Sequence, residues 1–324
     1  DELLGAVVVE VAVLDVARGA ALLAMAVYHL AWDLEFFGYL PSGLTAVGGW
    51  KLFARCIASS FLFLVGVSLV LAHGGGIRWT SFWRRWAMIA ASALLITAAT
   101  RLAMPESFIF FGILHQIALA SLLGLAFLRL PWALTIALAA AVVALPFWFS
   151  AAALDRPALW WLGLAPVNPR SNDYVPLFPW FGAVLAGIGV AQVAIRLGLD
   201  KRLAGFAIRP PLTGLAIFGR HGLAFYLIPQ PVLIACVWLL SQVAPPAAVA
   251  PETRFVQSCR TSCAPSREAE FCASYCACML EDLTAARQLQ KLFAGAPDEE
   301  LQRQVGDTAS YCVAATEART PEEQ

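Results

Sequence analysis

Apolar residues run along this chain in windows around 17–38, 53–73, 86–103, 108–129, 131–150, 175–197 and 214–242, with proline, glycine or charge clusters between most of them. A membrane-spanning helix needs about 20 mainly apolar residues. The pattern therefore predicts an all-α fold, a polytopic transmembrane helix bundle of about seven spans over residues 1–242. Residues 243–254, rich in proline and alanine, form a linker. Beyond it the apolar windows stop, and residues 255–324 form a polar tail with spaced cysteines, expected to be a small disulfide-stapled helical domain. The first window lacks a basic start and a small-residue cleavage site, so it is expected to stay as a span and not to be a cleaved leader. The chain begins at Asp1 without a methionine, which reads as a trimmed N-terminus.

Composition agrees with a chain built around the bilayer. Hydrophobic residues make up 60% and charged residues only 14%, against roughly 25% charged in soluble domains. The lipid bilayer is the expected partner and nucleic acid is not. Basic residues divide unevenly between the two ends of the bundle. Arg18, Arg78, Arg84, Arg85, Arg129, Arg196, Lys201, Arg202 and Arg209 fall on one side, and Lys51, Arg55, Arg101, Arg156 and Arg170 on the other. The richer side is expected to be cytoplasmic. Seven spans then put the N-terminus inside, and everything after about Gln242 outside, which in an inner membrane is the periplasm.

The cysteines bear on the same question. Of the eight, Cys56 and Cys236 sit in apolar windows and read as small buried hydrophobes; the other six all lie in the tail. An even, clustered set in a short polar domain reads as a disulfide framework in an oxidising compartment. Cys259 and Cys263 are four apart, as are Cys272 and Cys276, so each pair stacks on one helix face. Pro265-Ser266 with Glu268 and Glu270 reads as a turn and helix start between them. Two facing antiparallel helices would join Cys259 to Cys276 and Cys263 to Cys272, leaving Cys278 for Cys312. This resembles the twin Cys-x3-Cys helical hairpin, although six cysteines permit 15 pairings. Zinc held by four thiolates is the competing reading, made less attractive by a tail without histidine. No metal is expected.

The chemistry is expected in the first window, where His29 and Asp33 stand inside an apolar run. Ionisable groups at that depth are costly unless they face a protein interior or water, so the pair is a candidate functional site. Four residues apart, they share a helix face, where a carboxylate can fix the imidazole tautomer and favour its protonated form.

Several motifs together carry a family resemblance. They are Leu14-Asp15-Val-Ala-Arg18-Gly19 through Tyr28-His29-Leu-Ala-Trp32-Asp33, Phe63-Leu-Val-Gly66-Val-Ser68-Leu, Phe110-Phe-Gly-Ile-Leu-His115-Gln116-Ile-Ala, Asp173-Tyr174-Val-Pro-Leu-Phe-Pro179-Trp180-Phe-Gly182 and Gly219-Arg220-His221-Gly-Leu-Ala-Phe-Tyr226-Leu. In this order, over roughly residues 12–240, they resemble the bacterial relatives of lysosomal heparan-alpha-glucosaminide N-acetyltransferase. The opening Asp-x-x-Arg-Gly followed by an intramembrane histidine also resembles the acyltransferase-3 family. Neither resemblance covers the cysteine tail. The resemblance implies that the acetyl group of cytosolic acetyl-CoA passes to a glucosamine across the membrane, with an intramembrane histidine at the centre of catalysis; His29 is the matching position. One departure stands out. Many bacterial relatives read Tyr-Leu-Ile-His-Gln-Pro in the last helix, where this chain has Tyr226-Leu-Ile-Pro229-Gln230-Pro231.

Depth arithmetic suggests what could work together. At 1.5 Å per residue, His29 lies roughly 13 Å below the outer end of the first helix and His115 roughly 10 Å below the same surface in the fourth. A single outer cleft is expected to gather His29, Asp33 and His115 as catalytic groups, with Gln116, Asp173 and Tyr174 binding substrate. His29 would act as base, oriented by Asp33, or would itself carry the acetyl group in a ping-pong reaction. Arg78, Arg84 and Arg85 are the candidates for the CoA phosphates, since guanidinium forks suit them.

Plainer roles stand beside these. His29 and His115 can tie helices together, Arg84 and Arg85 can be topology signals, and Tyr174 and Trp180 can belong to an aromatic belt. His73 reads as the solvated end of the second helix and His221 as interfacial. Asp15 and Arg18 read as a helix start and an intrahelical pair. The alternative from another class is a non-catalytic transporter or a scaffold whose tail binds a periplasmic partner. Transporters show broken helices in matching positions of two halves, and the break at Pro229 and Pro231 has no such counterpart.

Overall fold

A computed structural model describes residues 2–199, 212–246, 250–264, 266–293 and 298–319. Lys201, Arg202 and Arg209 from the charge count, and Pro265 from the tail turn, lie outside them. The described residues form helices, with one isolated parallel bridge between Phe111 and Tyr174 and no strand among them. In chain order these are α1 (Glu2–Phe36), α2 (Gly48–His73), α3 (Trp79–Ala103), α4 (Ile113–Leu125), α5 (Trp132–Trp148), α6 (Leu177–Arg196), α7 (Leu212–Arg220), α8 (Gly222–Leu227) and α9 (Pro229–Val243). The tail adds α10 (Pro251–Cys263), α11 (Ala269–Ala285), α12 (Leu289–Phe293) and α13 (Glu299–Arg319).

Five stretches are long and apolar enough to cross a membrane: Ala12–Phe36, Gly48–His73, Trp79–Ala103, Leu177–Arg196 and Gly222–Val243. The windows at 108–129 and 131–150 yield the shorter apolar helices α4 and α5. The first of these is shortened because its leading residues pair with another loop instead of coiling. The Val175 N–H donates to the Phe111 carbonyl at 3.0 Å and the Asn172 N–H to the Ser107 carbonyl at 2.9 Å. The last window breaks at His221 and Ile228. Pro229 and Pro231 contribute to the second break, because neither has an N–H to give to the preceding turn.

The chain forms two compact units, one of residues 1–26 and 54–230 and the other of 27–53 and 231–324. In the first, α6 contacts α2 on one side and α5 on another through glycines. A Cβ at Gly66 would run into the Val184 carbonyl, one at Gly187 into the Phe63 carbonyl, and one at Gly182 into the Val143 side chain. Lipid supplies no hydrophobic drive for helices to associate, so close backbone approach and dense packing must do it. Around this crossing Leu62, Val184, Leu185 and Ile188 are fully buried. A second crossing joins α1 and α7. There a Cβ at Gly19 would meet the Leu215 carbonyl, and one at Gly219 the Asp15 carbonyl.

In the second unit the tail is a helical hairpin with two further helices. Disulfides join Cys259 to Cys276 and Cys263 to Cys272 between α10 and α11, and Cys278 to Cys312 between α11 and α13, with Cα separations of 5.8, 5.7 and 5.8 Å. The first two are the pairs expected of two facing antiparallel helices, and the third is the pair left over. Met279, Leu283, Leu289 and Cys312 make a small core. α10 begins at Pro251, with Glu252 in its first turn, so its start falls within the linker expected at 243–254; proline suits the first helical position, where no N–H is required. Cys56 and Cys236 are free thiols, exposed on the protein surface and not buried as expected; both stand in helices whose outward face meets lipid, which takes up a small apolar side chain as a core would.

Candidate functional site

Within the first unit, three motifs from distant parts of the chain meet at one end. Asp15 is buried in the middle of α1 and is not a helix start, because α1 runs back to Glu2. Its carboxylate takes the Arg18 guanidinium at 2.9 Å and lies 3.7 Å from Nε of Arg220 in α7. Arg18 also donates to the Ser68 hydroxyl at 2.6 Å, and that hydroxyl donates to the Leu64 carbonyl. The Asp-x-x-Arg-Gly and Gly-Arg-His motifs thus interlock, their glycines letting the backbones touch and their charges closing the contact.

Next to this knot is a cleft of about 160 Å³, lined by Ser68, His73, Arg78, Ser81, Arg85 and Ser121 among apolar neighbours. Two of the three arginines expected to meet phosphates line it; Arg84 does not. His73 is buried here and not solvated as expected, because the chain turns back over it: its Nδ1 accepts the Arg78 N–H at 3.3 Å and its ring meets Phe82. His221 stands exposed at the α7–α8 break. The hydroxyls of this cleft carry no signal in the sequence except at Ser68, which lies in one of the quoted motifs.

A second cluster in the same unit holds His115, Gln116, Asp173 and Tyr174. The Thr97 hydroxyl donates to the Ile109 carbonyl at 2.7 Å, so Nε2–H of His115 must donate to the Thr97 oxygen at 3.1 Å. On the other side of the ring, Nδ1 accepts the Gly112 N–H at 3.2 Å. His115 is therefore a neutral tautomer with both nitrogens occupied, fastening the start of α4 to α3. Asp173 accepts the Ile113 N–H at 2.9 Å and so caps α4 from the loop before α6. Gly112 leaves the room: a Cβ there would collide with the Asp173 carboxylate. The Tyr174 hydroxyl donates to the Trp160 carbonyl at 2.7 Å, and burial pushes its pKa up to about 12, so it remains a donor. Gln116 differs from all of these. It is 0% exposed, and neither its amide oxygen nor its nitrogen has a hydrogen-bond partner. A buried amide left so costs about 1–3 kcal/mol.

Burial pushes the Asp173 carboxyl from 3.8 up to about 6, against the opposing pull of the Ile113 N–H. A folded-state value above the unfolded one means that folding favours the protonated form. The resulting stability is complete below about pH 4 and is lost as pH rises through about 6. Asp173→Asn, neutral at every pH, should therefore melt progressively higher than the wild type as pH is raised from about 4 to 7. A melting difference independent of pH would contradict this.

The second unit contains His29 and Asp33, together with a third acid that the sequence reading did not mark. Tyr28 meets the His29 ring edge-on at 6.2 Å, and Asp33 is 0% exposed. His29 and Asp33 share a helix face, as the spacing requires. Glu35, two residues further on, turns back on the loop after α1. Its carboxylate accepts the Gly43 N–H, the Thr45 N–H at 2.9 Å and the Thr45 hydroxyl at 2.7 Å. Sequence alone offers no sign of this, since the glutamate sits among aromatic residues at a helix end.

Cys278, Asp282 and Cys312 bring three potential metal-ligand atoms close together. Both sulfurs are spent in a disulfide, so the group does not fit a bound metal in this state.

Residues 11–231, more than half of the 324, match the family model described as heparan-alpha-glucosaminide N-acetyltransferase, catalytic. No curated protein and no solved structure matches this chain.

Proposed function

The chain belongs to the heparan-alpha-glucosaminide N-acetyltransferase catalytic family, and from that premise we propose that it moves an acetyl group from cytoplasmic acetyl-CoA to an amino sugar or other envelope glycan on the far side of the inner membrane. The family and the spans make the chain a membrane protein of acetyltransferase type. The observation that carries this reading is His29: an ionisable ring within the apolar stretch Ala12–Phe36, for which the described residues show no hydrogen bond.

In this reading the acceptor nitrogen attacks the thioester carbonyl while a nitrogen of His29 takes its proton; the carbon–sulfur bond breaks and CoA leaves as the thiol. In the ping-pong version His29 first takes the acetyl group, releases CoA, and passes the group to the amine. Pro229, where many relatives have histidine, has no proton to move, so His29 serves this chain without help from that position. His115 becomes a positioning residue, its nitrogens being engaged. Gln116 is the substrate-binding candidate with an unused donor and acceptor. Asp173 and Tyr174 shape the loops that carry the α4 N-terminus.

The membrane orientation, with the N-terminus cytoplasmic and the tail periplasmic, rests on the basic-residue asymmetry. It puts the cleft of Arg78 and Arg85 on the CoA side, where both guanidinium groups would hold phosphates. Replacing Arg78 and Arg85 together with glutamine should raise KM for acetyl-CoA by about tenfold or more while leaving KM for the acceptor unchanged. Arg84→Gln should have the smaller effect. An unchanged KM for acetyl-CoA in the double variant would make these residues topology signals only. The function itself is tested by release of CoA from acetyl-CoA by purified protein with a panel of amino sugars, and no acceptor-dependent release with any of them would refute it.

A further inference from the structure

The loop after the His29 helix is held from two directions, both within the second unit. On one side is α1. Glu35 accepts the Gly43 N–H and both polar hydrogens of Thr45, and the Tyr28 hydroxyl donates to the Thr45 carbonyl at 3.3 Å. On the other side are residues beyond the last span. The Tyr39 hydroxyl donates to the Ala244 carbonyl at 2.6 Å, and a Cβ on Gly38 would stand 3.7 Å from the Pro246 ring. Thr261 of α10 lies so close to Gly43 that a Cβ there would collide with it. Gly43 also has φ +81°, where a side chain is strained, so it is doubly required to be glycine.

Thr261 stands between Cys259 and Cys263, the two residues of α10 bridged to α11. Its position is thus set by two covalent links to a helix with its own core. We infer that the disulfide-stapled tail is a clamp on the 37–47 loop, and that Tyr39, Gly43 and Thr261 are positioning residues for the end of α1 that carries His29 and Asp33. The tail lies beyond residue 231, where the family match ends. The clamp therefore joins a loop of the family domain to a tail outside it, and makes the state of the tail bridges a condition on the first loop. Its consequence for turnover rests on the acetyltransferase reading; its consequence for the loop does not.

The test is hydrogen exchange on the full chain in detergent, followed in the peptide covering 37–47. The samples are wild type, Tyr39→Phe, Thr261→Trp, and wild type under mild reductant, where only the tail bridges are available since Cys56 and Cys236 are already thiols. Exchange in this peptide should rise about five-fold in Tyr39→Phe, the worth of one hydrogen bond, and further in the other two. Peptides from α4 and α6 should not change, and reoxidation should restore the loop. In parallel, kcat should fall while KM for acetyl-CoA stays constant. An unchanged 37–47 peptide in both Thr261→Trp and the reduced protein overturns the clamp. Faster exchange with undiminished kcat overturns the positioning role. Faster exchange in a protein whose wild type transfers no acetyl group upholds the clamp and refutes the acetyltransferase reading instead.

Discussion

His29→Ala should abolish acetyl transfer, lowering kcat by at least about 10²–10⁴-fold, the range of a lost general base. The melting temperature should barely move. A histidine that only tied helices together would show the opposite pattern, with stability lost and rate kept, because interhelical polar contacts contribute about 1 kcal/mol each. Among the described residues His29 makes no hydrogen bond, so its removal leaves none of them without a partner. Asp33→Asn should slow the reaction partially, since Asp33 shares the helix face of His29 and its proposed role is to orient the ring, not to move a proton. Steady-state kinetics and thermal unfolding of the two variants in the same detergent check both statements. Retention of most activity by His29→Ala would remove it as base and as acyl carrier.

The largest loss of stability is expected at the α2–α6 crossing. Gly187→Val should destabilise the membrane unit by about 3 kcal/mol or more, because its Cβ would overlap the Phe63 carbonyl and two helices would have to separate. Overpacking against backbone has no rotamer to relax into. Gly49→Ala, at a position with nothing near the added Cβ, should change stability by no more than about 0.5 kcal/mol. Thermal unfolding followed by tryptophan fluorescence would separate them. A Gly187→Val protein that melts like the wild type would show that α2 and α6 do not approach as closely as described.

The helices of the membrane region were readable because apolar length is a direct consequence of bilayer thickness, and the windows from 17 to 242 each yield apolar helix. Two of the tail bridges were readable for a similar reason, since cysteines four apart share one helix face; Cys278–Cys312 followed only as the remaining pair. What escaped were contacts between residues far apart in sequence. Asp15 and Arg18 read as an intrahelical pair alone, with no sign that Arg220 stands beside them. His115 and Gln116 look equivalent as polar neighbours in one motif, yet one has both nitrogens occupied by Thr97 and Gly112 and the other has an amide with no partner. His73 looks terminal until the backbone of Arg78 is found on its ring. The hold of Thr261 on Gly43 has no local signal either, since a glycine in a loop is unremarkable until its φ and its neighbour are known.

The most direct measurement of the central claim is a sided one. Purified protein is reconstituted into sealed vesicles with acetyl-labelled acetyl-CoA on the face of Arg78 and Arg85 and glucosamine on the opposite face only. Labelled N-acetylglucosamine should accumulate on the glucosamine side with wild type and not with His29→Ala, and free CoA should accumulate on the donor side. Product that forms only when donor and acceptor share one compartment, or label that crosses equally well with His29→Ala, would contradict the account.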